Sequence, residues 1–209
     1  MLSFFGLTLN DSKKWYLPYI ANEEFLKFVM TTPFEWNVLD SSGYAPIHHV
    51  VHRSRNFSLL KIMIEHGDEK SIDFNIRNRN GWTPFHIVCG HGSIEMVKLL
   101  QNELQAKRID PFTITSFGKV DIFVIAACNS KHKEVFRYLF SQFRTKFNVE
   151  RLVNGYGEYK LIHWAVRNGH NEAVTFLLKS RSELGINLSD RADRRRTNIF
   201  HIALKKKQD

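Results

Sequence analysis

Apolar residues recur along this chain in two alternating patterns. Residues 58–64, 95–100, 134–140 and 172–178 carry them at i, i+3 and i+4, the period of a helix with one buried face. Other apolar stretches are shorter and centre on a histidine. They are Ala45-Pro46-Ile47-His48, Thr83-Pro84-Phe85-His86, Lys160-Leu161-Ile162-His163 and Asn198-Ile199-Phe200-His201. A fifth, weaker copy is Val120-Asp121-Ile122-Phe123, read with Phe in place of the histidine. From His48 the intervals are 38, 37, 40 and 38 residues. A period this constant over five copies signals internal repetition.

Each copy continues alike. A small or apolar pair follows the histidine (Val88-Cys89, Ala126-Ala127, Ala165-Val166), then a polar or glycine break, then the amphipathic stretch. Thr83 suits a helix N-cap, and Pro84 suits the first turn, where a missing N–H costs nothing. Gly92 and Gly169 suit the left-handed end of the first helix, and Gly67 is placed to end a second. The spacing therefore predicts helical hairpins that cannot bury their apolar faces alone and must stack. Between them, residues 34–43 and 73–81 turn extended and then rich in Asn, Asp and Gly, which predicts β-turn fingers. Residues 110–118, 148–157 and 187–196 are the equivalents.

Thr83-Pro84-Phe85-His86-Ile87-Val88 resembles the signature of the ankyrin repeat, and residues 168–174 are similar to that family's second segment. The resemblance covers most of the chain, although the units run longer than the family's roughly 33 residues. Proline is also missing from the last three. It implies an all-α fold, an ankyrin-repeat solenoid of stacked helical hairpins with β-turn fingers between units. The structural signature falls on His48, Thr83, Pro84, His86, His163, Gly169 and His201. The implied organisation is one domain over 1–209. An N-terminal capping unit (1–40) precedes repeats at 41–78, 79–115, 116–154 and 155–193 and a partial repeat at 194–209. In the capping unit a helix starts at Asp11-Ser12 and a second runs through residues 23–30.

Composition narrows the chemistry. The formal net charge of +9 fits an acidic protein, nucleic acid or an anionic membrane, with local runs at Arg194-Arg195-Arg196 and Lys205-Lys206-Lys207. No stretch approaches the roughly 20 apolar residues of a membrane helix. Cys89 and Cys128 form no ligand or disulfide pattern and read as packed thiols of a reducing compartment, hence a cytoplasmic location. The irregular repeats look like those of ankyrin effectors of intracellular bacteria, which would place the chain in a host-cell cytosol. Signature histidines on successive units lie about 10 Å apart, too far to share a metal. They are expected to bond turn backbone and tie unit to unit. In the denser group His48, His49 and His52, one ring is expected to face inward. No nucleophile, phosphate loop or paired carboxylates appear, so neither catalysis nor a cofactor is expected.

The resemblance implies a protein that holds another protein, without catalysis and as a monomer. Aromatic and arginine side chains dominate such contacts. The fingers offer Tyr44, Arg79, Trp82, Lys119, Tyr156 and Tyr159, and the first helices offer His52, Arg53, His91 and Arg167. The expected partner is a protein with an acidic surface, not a small-molecule substrate. Two alternatives stand beside it. The chain is the targeting arm of a larger protein whose activity lies beyond Asp209, or its basic C-terminal runs bind nucleic acid or an anionic membrane.

Overall fold

The computed structural model describes residues 23–31, 33–54, 56–91, 93–112, 120–129, 131, 133–143, 159–191 and 196–206, with backbone alone at Arg53, Ser54 and Lys206. Ten helices lie within these residues: α1 Glu23–Met30, α2 Pro46–His49, α3 Phe57–Glu65, α4 Pro84–His91, α5 Ile94–Ala106, α6 Ile122–Cys128, α7 Lys133–Gln142, α8 Leu161–Asn168, α9 Asn171–Lys179 and α10 Ile199–Lys206. A π-helical turn, Val50–Ser54, extends α2. The helices form two layers. The even-numbered first helices pack on one another from α2 to α10, and the odd-numbered second helices form the outer row from α1 to α9. Among the described residues there is no strand.

The first helices start on one device. Nδ1 of the signature histidine accepts the backbone N–H three residues earlier: Ala45 to His48 (3.0 Å), Thr83 to His86 (3.2 Å), Lys160 to His163 (3.0 Å) and Asn198 to His201 (3.3 Å). This satisfies an N–H at the helix entrance even where Ala45 or Lys160 has no capping oxygen of its own. Thr83 adds its hydroxyl, 2.7 Å from His86 Nδ1. With Nδ1 accepting, Nε2–H is the donor. His48 gives it to the Trp82 carbonyl in the next repeat (3.0 Å), and His163 gives it to Asp190 (3.3 Å). The ring thus caps a helix and, at His48, ties one repeat to the next; at His163 it ties the helix to the finger that follows.

The third repeat shifts the register read from sequence. Asp121 is the N-cap, and its side chain accepts the Val124 N–H at 2.9 Å. The third helical position, held elsewhere by the histidine, therefore belongs to Val124, not Phe123. Phe123 instead aligns with Ile47, Phe85 and Ile162, all buried. Counted this way the intervals are 38, 38, 39 and 38 residues. An aspartate cap replaces the imidazole one, which explains why neither proline nor histidine is needed here.

Two glycines have different reasons. Gly169 ends α8 at φ 66°, the left-handed cap expected of it. Gly67 does not end α3 this way. His66 caps that helix, and a Cβ on Gly67 would meet the Phe74 ring at 2.6 Å. Its role is to admit Phe74, which is wholly buried. Gly92, Asp11 and Ser12 lie outside the described residues.

Two fingers are described in full. In the first, Gly43 N–H donates to Asp40 O and Asp40 N–H to Tyr44 O, both at 2.9 Å. In the second, Gly81 and Asn78 repeat the pattern towards Asn78 and Trp82 (2.8 and 2.9 Å). Oδ1 of Asp40 and of Asn78 accepts the N–H of Tyr44 and Trp82, each at 2.9 Å. The fingers also touch: Arg79 N–H donates to Gly43 O at 2.9 Å. A Cβ at Gly43, already at φ +81°, would lie 2.4 Å from Arg79 Cβ.

Candidate partner-binding face

The finger tips and the exposed side of the first helices share one edge of the stack. In the first repeat, Tyr44 is half-buried, with its ring centroid 5.8 Å from His48, 5.4 Å from His49 and 6.1 Å from His52. His52 is exposed and meets His91 of the next repeat edge-on at 5.5 Å. Trp82 is half-buried over His86 at 6.3 Å. Arg79 is exposed beside Gly43.

The fourth repeat holds a second cluster. Tyr159 lies 5.5 Å from Trp164, and the exposed Arg167 guanidinium sits over both rings, at 5.7 and 5.4 Å. Relative to the signature histidine, Tyr159, Trp164 and Arg167 occupy positions −4, +1 and +4. Tyr44, His49 and His52 occupy the same three positions around His48. The structure therefore groups Tyr44, His52 and His91 in one cluster and Tyr159 with Arg167 in another, while Trp82 lies over His86. Between them lies Cys128, half-buried and within the field of Arg167. Lys119, Tyr156 and the Arg53 side chain lie outside the described residues.

Electrostatics separates supporting groups from presented ones. Burial pushes His48 down to about 4, against the opposing pull of the Trp82 carbonyl, so its ring is neutral at pH 7. His49 is buried too, correcting the expectation of a single inward ring, and its Nε2 lies 2.7 Å from Asp40 Oδ2. Burial alone would raise the Asp40 carboxyl. The Tyr44 amide, His49 and the Ser42 amide outweigh it and hold the carboxyl below its ordinary value. The finger is thus clamped to α2 through a buried carboxylate. Burial raises both thiols, Cys89 far beyond the ordinary range and Cys128 up to about 12. Neither is activated for nucleophilic chemistry. Among the described residues no three His, Cys, Asp or Glu side chains gather as a metal-ligand group.

Sequence reasoning passed over Trp164 and the Asp40–His49 pair. Trp164 sits among core residues at helical spacing and was not separable from them by period. The available signal was the +1 position it shares with His49.

Paired helices, first-helix bridges and hydrogen-bonded turns define a helical-hairpin solenoid. The model of the family described as "Ankyrin repeats (3 copies)" matches residues 19–113, and that described as "Ankyrin repeat" matches 161–191. Together these spans cover more than half of the chain, which belongs to the ankyrin repeat family. Membership implies a role in protein–protein interaction.

Among curated proteins, the chain is 30% identical to human protein phosphatase 1 regulatory subunit 27 over 78 residues, covering 37% of this chain and 47% of that protein. It is 28% identical to ankyrin repeat protein OPG189 of Variola virus over 141 residues, 66% of this chain and 24% of the relative. Human transient receptor potential cation channel subfamily A member 1 matches at 24% identity over 164 residues, 77% of this chain and 14% of the channel. The chain thus spans less than half the length of these relatives. A similar solved structure is a chain in the complex of the predatory endopeptidase Bd0816 from Bdellovibrio bacteriovorus with immunity protein Bd3460. Its TM-score is 0.64 at 15% identity, covering 94% of this chain and 95% of that one, a likeness of fold. No helix among the described residues is long and apolar enough to cross a membrane.

Proposed function

We propose that this protein captures a partner protein on the edge formed by its fingers and first helices, by binding and not by catalysis. The observation that carries the reading is the repetition of one presentation geometry. Positions −4 and +4 around a signature histidine hold Tyr44 and His52 in one repeat and Tyr159 and Arg167 in another, with the buried His49 and the half-buried Trp164 at +1 packed against the tyrosine ring. Trp82, Arg79 and His91 add aromatic and basic side chains beside the first cluster. Such groups bury much area at small entropic cost, and a scaffold tied finger to helix loses little freedom on binding. The net charge of +9 favours a partner with an acidic surface. A relative named as a phosphatase regulatory subunit supports a protein partner in kind, and the two thiols accord with a reducing, cytoplasmic setting.

The experiment is affinity capture from a lysate followed by mass spectrometry, run with the wild type and a Tyr44→Ala/Trp82→Ala variant. The variant keeps its helical circular dichroism and loses the captured protein. A captured protein retained at wild-type yield removes the reading.

A further inference from the structure

Arg167 is exposed, yet it is held. Its guanidinium lies 5.7 Å from the centre of the Tyr159 ring and 5.4 Å from that of Trp164, and these two half-buried rings lie 5.5 Å from each other. The indole is itself fixed on α8 among the buried Leu161, Ile162, His163 and Ala165. Aromatic contacts of this kind use the face of a guanidinium and leave the N–H groups on its rim for an acceptor. No carboxylate among the described residues takes them. Lys160, the other cation of α8 and its N-cap, is already bonded to Asp190 at 2.6 Å. The remaining described finger aspartates are engaged within the chain as well. Asp40 holds His49, Asp73 accepts the Asn75 N–H at 2.8 Å, and Asp110 accepts the Phe112 N–H at 3.0 Å. The edge thus presents a cation at its fourth repeat and uses its own aspartates in its turns.

We propose that Arg167 receives one side-chain carboxylate, an aspartate or glutamate of the partner protein, with Tyr159 and Trp164 as positioning residues that hold its guanidinium. The inference rests on the binding edge proposed above and adds the chemistry taken at this end of it. A carboxylate fits the fork: two parallel N–H···O bonds satisfy both of its oxygens, and one negative charge meets one cation. A phosphate group carries about two charges and three acceptor oxygens, and here the second cation of the helix, Lys160, is already neutralised by Asp190. A guanidinium held between rings has little rotamer freedom left to lose on binding, an advantage that a lysine at this place would not reproduce.

The test selects random phage-displayed peptides of about 12 residues on the full chain. Extended, such a peptide spans about 40 Å, enough to reach from Arg167 to the Tyr44 cluster three helix spacings, roughly 30 Å, away. Peptides selected on the wild type carry aspartate or glutamate at one fixed position. In the synthetic peptide, replacing that residue by Asn or Gln lowers affinity about tenfold on the wild type and hardly at all on Arg167→Gln, so the two losses do not add. Arg167→Lys loses at least about threefold although it keeps the charge. Helical circular dichroism, unchanged in both variants, separates these losses from unfolding. Selected peptides that Tyr159→Ala and Arg167→Gln weaken, but whose acid is absent or costs the same to remove with and without Arg167, overturn the carboxylate receptor and leave the edge standing. Peptides indifferent to Tyr44→Ala/Trp82→Ala and to the substitutions at 159 and 167 remove the edge and the receptor together. A phosphoserine peptide or oligo(dT) that binds at Arg167 where the acidic peptide does not, or a library that yields no binder, also overturns the proposal.

Discussion

In the first repeat the Tyr44 ring rests against two imidazoles, one of them clamped by a buried carboxylate. In the fourth, Tyr159 rests against an indole with an arginine laid over both rings. The backbone positions are the same, and so is the histidine that caps the helix beneath them. What differs is the side chains those positions present. The pairing separates two kinds of constraint. The positions that hold the repeat together accept a narrow chemistry, since they must satisfy buried N–H groups. The positions that face outward need only a side chain with reach. The fourth repeat puts a permanent cation on its surface. The first puts one imidazole there, His52, and keeps His49 and its carboxylate partner inside.

Breaking the shared support tests this most severely. His48→Ala removes a ring that accepts from Ala45 and donates to Trp82, at a wholly buried site, and is expected to cost about 3 kcal/mol. His163→Ala should cost less, since its bridge to Asp190 is longer at 3.3 Å. Thermal unfolding of the two variants measures the difference. If the fourth-repeat variant is the more damaged, the bridging role assigned to the ring fails.

Acidification probes the same ring without mutation. His48 folds with its pKa lowered from 6.5 to about 4, so the fold favours the neutral form. That stability is complete above pH 6.5 and is lost as pH falls through about 4, a decline of roughly 3 kcal/mol. Asp40, held below its ordinary value, adds to the loss at the acid end. Chemical denaturation across this range should show the slope, and a His48→Gln variant should flatten it.

Asp40→Ala leaves His49 buried without its carboxylate and is expected to cost about 2 kcal/mol. Partner capture should weaken with it, because the Tyr44 finger loses its clamp; Asp40→Asn, which keeps a hydrogen-bonding side chain, should lose less of both. The smallest effect is on the fourth cluster. Arg167→Ala removes an exposed side chain and should leave the unfolding midpoint unchanged, while weakening partner binding by about tenfold, roughly 1.4 kcal/mol. Titration of the captured partner measures it.

Most of this architecture was legible because the repeat writes its own caps. Thr83-Pro84 and the regular histidines announce helix entrances, and Gly169 announces an exit. The third repeat was read one residue out because Asp121 does the capping there, leaving nothing at Val124 to mark the position. Gly67 was misread because its requirement comes from Phe74, a contact no local pattern shows. The π-helical turn at Val50–Ser54 left no mark in the hydrophobic period. Within the candidate site, finger aromatics were legible from their place after a glycine. Trp164 and His49 were not, since their neighbours are core residues and the helical period does not set them apart; His49 is itself buried against Asp40 and Trp164 half-buried. The Asp40–His49 pair joins a finger to a helix across nine positions, a distance local reasoning does not bridge.

The proposed binding edge consists of the fingers and the first helices. Hydrogen–deuterium exchange on the captured complex tests it directly. Binding at that edge gives new protection at residues 43–52, 81–91 and 159–168, with the outer helices α3, α5 and α7 unchanged. Protection confined to those outer helices, with the finger segments exchanging as in the unbound protein, would contradict it.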